Sequence, residues 1–296
     1  MKIRMDDARR WNPPWLADRG PLWIRGVPPG APGVAVVGAR ASDPYGLQVA
    51  AWSAREAGAL GHSVISGGAE GCDRAAHLEA LRSGGHTAVV LAGGLDRPYP
   101  AAHSALFEDI VSAGGALVTA YAPGTPPRPH RFLERNHLIA ELSAAVIVAR
   151  SRARSGAHTT ARVALSLGRP VLAVPGPVGQ SLSQGPHGLL ARGALPMTGG
   201  RSLRRALGKT GGQEWPITNR LMDAPFEEPV GEKFVDSVTG TPEGEVMLEV
   251  LIEHQMLDLA GFSRLTRLPI QVVTALLVEL EIAGVVTERQ GSYRLR

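Results

Sequence analysis

The chain has 296 residues with a formal net charge of +4, and 44% of its residues are hydrophobic, a composition typical of a soluble protein with a packed core. No apolar run approaches the ~20 residues of a membrane span, and the N-terminus lacks the apolar segment of a signal peptide, so we expect a cytoplasmic protein with no membrane contact. Cys72 is the only cysteine, which excludes an internal disulfide and a cysteine-based zinc site.

Residues 1–32 form a lead segment rich in tryptophan and proline, with Trp11, Trp15 and Trp23. This segment is predicted to pack as a small cap on the domain that follows, since exposed tryptophan rings would otherwise leave large apolar surfaces in water.

Between residues 33 and 207, short apolar and β-branched runs recur at intervals of roughly 25–30 residues, the spacing of repeated βαβ units. The runs are Val34–Val37, Ser63–Ile65, Thr87–Leu91, Ala116–Thr119, Ala145–Val148 and Val171–Val174. Continuous apolar runs are typical of strands buried on both faces. Segments of helical period lie between them, such as Tyr45–Leu60, Asp73–Ser83 and Thr159–Leu167. The pattern predicts an α/β fold with a doubly wound parallel sheet.

Glycines and polar residues follow the first two runs: Gly38 and Arg40 after the first, Ser66 and Gly67 after the second. Ligands of open parallel sheets bind at the carboxyl ends of the strands. There glycine lets the backbone approach a ligand, Arg40 can fork onto a phosphate and Ser66 can donate a hydrogen bond. A purely structural turn remains an alternative for both segments, with Asp73 as a helix N-cap.

Between residues 128 and 169 lie eight arginines and only two carboxylates, a concentration of charge that favours a polyanion such as nucleic acid. The predicted loop that opens this stretch carries Arg128, Arg131 and Phe132 and leads to Arg135–Asn136. This mixture suits a single strand, because phosphates bind arginine while a base stacks on the ring. Two alternatives stay open. The arginines could reflect a general use of arginine in place of lysine along the chain, and Phe132 could be a core residue rather than a base-stacking one.

Ser155 and Gly156 open a further predicted helix, where hydroxyl and N–H groups can meet an anion. Known catalytic patterns are missing from the sequence: there is no dinucleotide fingerprint, nucleophile elbow or HExxH motif. Gly208-Lys209-Thr210 imitates the end of a P-loop, but Leu203 occupies the place of the first glycine. We therefore expect no catalytic residue, no metal and no cofactor.

Residues 208–241 are polar and aperiodic and are predicted to be a linker. From residue 242 to 296 three predicted helices precede a short predicted hairpin, the order of a winged helix. The first is marked by Val246, Leu248, Val250 and Leu251, the second spans Leu257–Leu265 and the third Ile270–Ile282. This segment contains eight acidic and five basic residues. Because DNA-reading winged helices are basic, contact with protein is favoured over contact with DNA.

The segment VAVVGAR followed by DPYG resembles the opening motif of the DprA/Smf family, the DNA-processing proteins of bacterial transformation. SGGAEGCDRAAH, AGGLDRPYP, RNHLIAELS and SGAHTTA…GRPVLAVPG resemble later motifs of that family, in the same order. The match covers about residues 21–200, and many members also carry a C-terminal winged helix.

The resemblance implies an extended Rossmann-like fold, a homodimer, binding of single-stranded DNA and loading of the RecA recombinase onto that DNA, with no established catalysis. Single-strand-binding protein is a further candidate partner. By the same resemblance Arg40 holds a phosphate, Phe132 and its neighbouring bases take a nucleotide, and Arg135 and Asn136 form the Arg-Asn motif.

Three positions depart from the family pattern. Glu70 stands where the family usually has arginine, which removes a positive charge from the groove, and Ala120 and Ala149 stand where acidic residues are usual. The loss of two acids leaves the pocket more positive and offsets Glu70, so binding is expected to survive.

Two other functions remain as hypotheses. Nucleotide-processing hydrolases of the lysine-decarboxylase-like type share glycine-rich strand ends, but the region comparable with their PGGxGTxxE motif reads SGAHTTARVAL, without the catalytic glutamate. A sequence-specific regulator acting through the winged helix would need that domain to bind duplex DNA, which its acidic balance disfavours.

Overall fold

A computed structural model of the chain describes residues 7–153, 155–208, 246–247, 250–251, 254, 256–282, 286–289 and 291–295. The chain divides into two compact units, Met1–Leu221 and Met222–Arg296. Arg154 and nearly all of the predicted linker lie outside the described residues. Within the described ranges, no helix is long and apolar enough to cross a membrane.

The first unit is built on a sheet to which nine strands of the described residues contribute. They are β1 (Arg9–Trp11), β2 (Leu22–Gly26), β3 (Gly33–Val37), β4 (Val64–Ser66), β5 (Thr87–Val90), β6 (Ala116–Thr119), β7 (Ser143–Val148), β8 (Val171–Ala173) and β9 (Leu195–Pro196). Their order across the sheet is β1-β2-β6-β5-β4-β3-β7-β8-β9.

Strands β3 to β9 pair in parallel, which confirms the predicted parallel sheet. Chain order runs one way from β3 through β4, β5 and β6, and the other way from β7 through β8 to β9. The switch between the two directions falls between β3 and β7. In open α/β sheets, ligands bind outside the carboxyl ends of the strands at such a switch.

The predicted cap at the N-terminus belongs to the sheet instead. Strand β2 pairs antiparallel with β6, and β1 pairs antiparallel with β2. Arg25 of β2 is buried and donates to both carboxylate oxygens of Glu108, at 2.7 and 2.8 Å. This ion pair fixes the added strands to the helix that carries Glu108.

Helices cover both faces of the sheet. They are α1 (Pro44–Ala59), α2 (Cys72–Arg82), α3 (Ser104–Ser112), α4 (Pro129–Glu141), α5 (Gly156–Ser166), α6 (Gln184–Ala191) and α7 (Gly200–Leu207). On one face, Val34, Ile147 and Leu172 of the sheet pack with Ala54 of α1 and Leu203 of α7. Helices α4 and α5 pack together and against β7.

The second unit contains β10 (Leu257–Asp258), α8 (Leu259–Thr266), α9 (Ile270–Ile282), β11 (Val286–Arg289) and β12 (Ser292–Leu295). Helix α9 has the predicted bounds. The predicted helix from Leu257 begins two residues later, because Leu257 pairs with Tyr293 in a three-stranded sheet and Asp258 caps α8 by accepting from the Gly261 N–H at 2.7 Å. Met247, Leu251, Phe262 and Leu277 lie in the core of this unit.

Candidate nucleic-acid interface

The predicted basic loop is a helix. Helix α4 begins at Pro129, a residue favoured at the first helical position, and Arg128 precedes it in extended conformation. Arg131 and Arg135 are therefore neighbours on the helix surface, as are Phe132 and Asn136. The interpretation as a loop was wrong because it gave more weight to the local charge than to the helix-starting proline.

Phe132 is the centre of a cluster of cations and rings. The guanidinium carbons of Arg40 and Arg135 lie 5.4 and 5.6 Å from the centre of its ring, within the range of cation–π attraction. The ring of Tyr99 meets Phe132 edge to face, with centroids 5.4 Å apart. Arg40 is exposed whereas Arg135 is buried, so Arg40 presents the positive charge of this cluster to solvent.

Arg135 is buried with part of its hydrogen-bonding capacity unused. Its Nε and Nη1 have no hydrogen-bond partner among the described residues. Nη1 lies 3.8 Å from the carboxylate of Asp73, a separation that gives charge attraction without a hydrogen bond. Burial lowers the pKa of Arg135 to about 10, and Asp73 opposes this shift. The group is a cation at neutral pH with free donors, which makes it a candidate anion ligand.

Gly67 provides the space for that guanidinium. A Cβ atom on residue 67 would lie 1.1 Å from Nη1 of Arg135, so a side chain there and the observed position of Arg135 exclude each other. The prediction gave Gly67 the role of bringing the backbone close to a ligand. The structure shows instead that it brings the backbone close to Arg135.

The loop after β4 already contains an anion. The carboxylate of Asp73, in the first turn of α2, accepts hydrogen bonds from the N–H groups of Gly67 and Ala69 at 3.2 and 3.3 Å. Burial raises the pKa of Asp73, and the neighbouring Arg135 opposes that shift. These two N–H groups therefore bind the protein's own carboxylate rather than a ligand.

Ser66 is likewise unavailable to a ligand. Its side chain is fully buried, and the hydroxyl donates to the main-chain oxygen of Val36 at 2.6 Å. In this position the hydroxyl ties β4 to β3, whereas the sequence predicted that it donates to a phosphate. Gly38 is also a packing position: an added Cβ would lie 2.5 Å from Sγ of Cys72 and 2.8 Å from the main-chain oxygen of Arg150.

A second ring lies beside the start of α4. The guanidinium carbon of Arg131 is 5.2 Å from the ring centre of Tyr121, and Arg131 also donates to the main-chain oxygen of Pro126. The Tyr121 hydroxyl donates to Glu134, and burial together with this carboxylate raises its pKa above the ordinary value. The sequence drew attention to Tyr99 through the AGGLDRPYP motif but not to Tyr121, although Tyr121 also follows the end of a predicted strand.

Asn136 connects α4 to the start of α5. Its amide donates to the main-chain oxygen of Gly156 at 3.2 Å. Ser155 caps α5 by accepting from the N–H of Ala157 at 3.3 Å, so the predicted opening of a helix at this point is confirmed. Gly156 is exposed at the first turn.

Two of the eight arginines between residues 128 and 169 have guanidinium groups that are bound within the protein. Arg150 is fully buried and forms an ion pair with Asp43, with Nε 3.3 Å from Oδ1. Arg169 donates to the main-chain oxygens of Ala140 and Glu141 at the end of α4, both at 2.6 Å. Among the described residues, the exposed positive charge of this stretch is therefore smaller than the sequence count, with Arg128 before α4 and Arg152 before α5 exposed.

Side chains that could hold a metal ion do not cluster within the described part of the chain. Across the described residues, histidine, cysteine, aspartate and glutamate side chains form no group of three or more able to hold an ion. Cys72 is buried, and burial raises the pKa of its thiol to about 11, so its ordinary state is the unreactive thiol.

These features define a class: a doubly wound α/β protein that places an arginine–aromatic cluster at the carboxyl ends of its parallel strands. Residues 12–207 match the sequence model of the family described as DNA recombination-mediator protein A. The chain belongs to that family.

Curated relatives include the DNA processing protein DprA of Mycobacterium tuberculosis, which is 41% identical over 279 residues that make up 93% of this chain and 67% of the relative. Protein Smf of Escherichia coli is 34% identical over 266 residues, which are 89% of this chain and 68% of the relative.

Solved structures of DNA processing protein A have a similar fold. DNA processing protein A of Streptococcus pneumoniae aligns with a TM-score of 0.60 at 32% identity, over 68% of this chain and 75% of that one. DNA processing protein A of Helicobacter pylori aligns with a TM-score of 0.60 at 27% identity, over 68% of this chain and 96% of that one, in a structure described as showing its single-stranded DNA binding mode.

Proposed function

We propose that this chain binds single-stranded DNA, without strong sequence preference, at the carboxyl ends of its parallel strands. The observation that carries the proposal is the cluster in which exposed Arg40 and buried Arg135 both lie against the ring of Phe132. We name this the Arg40–Phe132–Arg135 surface. A guanidinium can pair with a phosphate and also stack on a base, which is what an unpaired strand offers.

The side chains around this surface have separate roles in the proposal. Arg40 and Arg128 are exposed and supply charge to phosphates, while Arg131 and Tyr121 extend the surface along α4. Asn136 with Ser155 and Gly156 holds the start of α5 beside α4. Gly38 and Gly67 act through packing, and Ser66 acts through the bond that ties β4 to β3.

Membership of the recombination-mediator family supports the wider proposal. By that membership the chain loads RecA recombinase onto single-stranded DNA during natural transformation and recombination, as a homodimer in the cytoplasm, with single-strand-binding protein as a further candidate partner. It does so without an enzymatic step and without a cofactor or metal. The Helicobacter pylori relative, described as binding single-stranded DNA, supports the choice of ligand.

The domain arrangement proposed with this function is a Rossmann-like DNA-binding domain over residues 33–207, a linker over 208–241 and a winged helix over 242–296. The order of α8, α9 and the β11–β12 pair supports the last assignment. Its excess of acidic residues favours a protein partner for that domain.

The nucleotide-hydrolase alternative is not favoured. The N–H groups of Gly67 and Ala69 already bind the Asp73 carboxylate, so this loop has no free backbone cradle there for a mononucleotide phosphate.

The test is fluorescence anisotropy of a labelled single-stranded oligonucleotide across a salt series, with a duplex of the same sequence alongside. We expect tighter binding to the single strand and affinity that falls steeply with salt, because counterions are released. Arg40→Ala should weaken binding about fivefold or more, equivalent to about 1 kcal/mol, and flatten the salt dependence.

Arg82→Ala is the matched control, since Arg82 is 80% exposed at the last residue of α2. It should bind like the unaltered chain. Preference for the duplex, or full affinity in Arg40→Ala, would refute the proposed surface.

A further inference from the structure

Helix α9 has an exposed face that carries apolar side chains. Ile270 and Val278 are 44% and 45% exposed, and Leu265 near the end of α8 is 47% exposed. Thr274 lies midway between the first two at four-residue spacing, so the three side chains of α9 form one row along the helix. Another side of α9 is buried in the core of the second unit through Val273, Leu277 and Leu280. A helix that is apolar on both sides is typical of one that is covered on both.

Nucleic acid is not a suitable occupant of this face. The third helix of a winged helix normally enters the major groove, where arginine and lysine pair with phosphates and base edges. Residues 270–282 contain two glutamates and no lysine, arginine or histidine. The face therefore offers no cation to a phosphate and fits the surface of a protein.

The two ends of this face carry opposite charges. Arg267 lies just before α9, and both Arg267 and Arg264 near the end of α8 are exposed. Glu281 lies on the same side of α9 as Val278, which precedes it by three residues, and its carboxylate accepts from the N–H of Glu288 at 3.3 Å. Helix α9 is about 20 Å long and separates Arg267 from Glu281, so these two charges do not meet within one chain.

We propose that the exposed face of α9 docks on the same face of a second copy of this chain, an inference that rests on the homodimer of the proposed function but not on its DNA surface. Antiparallel pairing of the two helices across a two-fold axis makes the face complementary to itself. Arg267 of one copy then lies beside Glu281 of the other, and the rows of Ile270 and Val278 pack together. Parallel pairing would instead bring like charges together.

Small side chains in the middle of the face suit this pairing. Thr274 and Ala275 lie near the centre of α9, between Ile270 and Val278. The distance between the axes of two packed helices depends on the side chains at the contact. Thr274 and Ala275 therefore let the two copies of α9 approach closely enough for the larger side chains on either side of them to interdigitate.

The test is sedimentation velocity of the full chain over a series of protein concentrations. Val278→Glu should weaken self-association about tenfold or more, because a charge without a partner would be buried between the two helices. The side chain is exposed in the single chain, so the substitution should leave the fold intact. Val178→Glu makes the same change at a valine of the first unit that is 91% exposed, and this control should associate like the unaltered chain.

Charge reversal tests the direction of the pairing. Arg267→Glu and Glu281→Arg each place like charges opposite one another, and each should weaken association about threefold, the size expected of an exposed ion pair. The two changes in one chain exchange the charges and should restore association. Because the two residues lie at opposite ends of α9, such a recovery requires a second copy.

A thiol reagent reports the contact directly. Cys72 is the only native cysteine, and it is buried, so a bismaleimide reagent should leave the unaltered chain uncrosslinked. Ala275→Cys places an exposed thiol near the middle of α9 and should give a covalent dimer. Adding Val278→Glu to this variant should remove the dimer.

Association that Val278→Glu leaves unchanged would overturn the inference and leave the homodimer to another surface. A charge reversal that fails to restore association, or an Ala275→Cys chain that does not crosslink, would overturn it as well. An unaltered chain that stays monomeric at every concentration would overturn the homodimer together with this inference. Anisotropy with an oligonucleotide too short to reach two copies tests the proposed DNA surface separately.

Discussion

Arg135 shows how a cation is kept in a buried position when two of its nitrogen atoms lack hydrogen bonds. Burial of a charged group is unfavourable unless nearby groups compensate it. Here the compensation comes from the Asp73 carboxylate at 3.8 Å and from the ring of Phe132. The unused donors at Nε and Nη1 are buried, so an anion would reach them only after the side chains that cover Arg135 move.

Replacing Gly67 should displace the Arg135 guanidinium although Arg135 itself is unchanged. In Gly67→Ala the new methyl group occupies the position of Nη1, so the guanidinium must leave its place beside Asp73 and Phe132. We expect single-strand affinity to fall about as far as in Arg135→Ala, and the two changes together to cost little more than either one. Anisotropy titrations of the three variants measure this.

Gly58→Ala in α1 is the matched control, since a Cβ there meets nothing within 4 Å, and it should bind normally. Additive losses in the double variant would mean that Gly67 affects DNA by another route.

At the scale of single residues, the sequence predicted which residues belong to the site better than it predicted the contacts between them. Arg40 and Phe132 were predicted from charge and ring character, and the structure brings them together. A motif does not give the direction of a side chain: the Ser66 hydroxyl at the end of β4 turns toward β3, and Gly67 lies against Arg135. Glu70 was recognised only as a lost positive charge, since its partner His103 is 33 positions away.

Helix α1 and the segment after β8 are joined through one buried cation. Arg150, after β7, forms an ion pair with Asp43 at the start of α1 and donates to Gln180 at 2.6 Å. Asp43 also caps α1 by accepting from the Gly46 N–H at 2.7 Å. The ring of Tyr45 lies 5.2 Å from the guanidinium. This network fixes the elements on either side of the strand-order switch.

Asp43→Asn should destabilise the protein at neutral pH by about 2 kcal/mol, because it leaves the Arg150 charge buried without its counter-ion, while asparagine can still cap α1. The hydrogen bond from Arg150 lowers the pKa of Asp43 in the folded state. Its contribution is therefore complete above the unfolded value of about 3.9 and is lost as pH falls through the lower folded value.

Urea unfolding at pH 7 and at progressively lower pH should show the free-energy difference between the two proteins shrinking with acid. Asp18→Asn, at an exposed site, should have no such effect. A difference that stays constant with pH would exclude the ion pair as its cause.

Elements with a strong period were predicted within two residues, as α1, α9 and strands β3 to β8 show, whereas the two-residue parallel strand β9 was not predicted. Strands β1 and β2 were not predicted because they lie at the antiparallel edge of the sheet and do not follow the regular spacing of the βαβ units. A pair of residues far apart in the sequence, Arg25 and Glu108, holds them in place. Helix α4 was missed because its solvent-facing charges interrupt the apolar pattern over its first two turns.

All side chains proposed to contact DNA lie in the unit Met1–Leu221. Residues 242–296, by contrast, carry a net negative charge. A chain ending at residue 208 should therefore bind single-stranded DNA at least as tightly as the full chain, since it loses acidic residues and no proposed contact. Anisotropy with both proteins at matched salt decides this. A large loss of affinity on truncation would assign DNA contacts to the second unit.

The Asp73 carboxylate that binds the N–H groups of Gly67 and Ala69 has a consequence for evolution. Where main-chain N–H groups bind a ligand anion, its affinity changes only if the conformation of the loop changes. With the amides of Gly67 and Ala69 already engaged, this loop offers DNA its side chains rather than those two N–H groups. Single substitutions of side chains around the loop can then strengthen or weaken the proposed binding stepwise while the backbone stays unchanged.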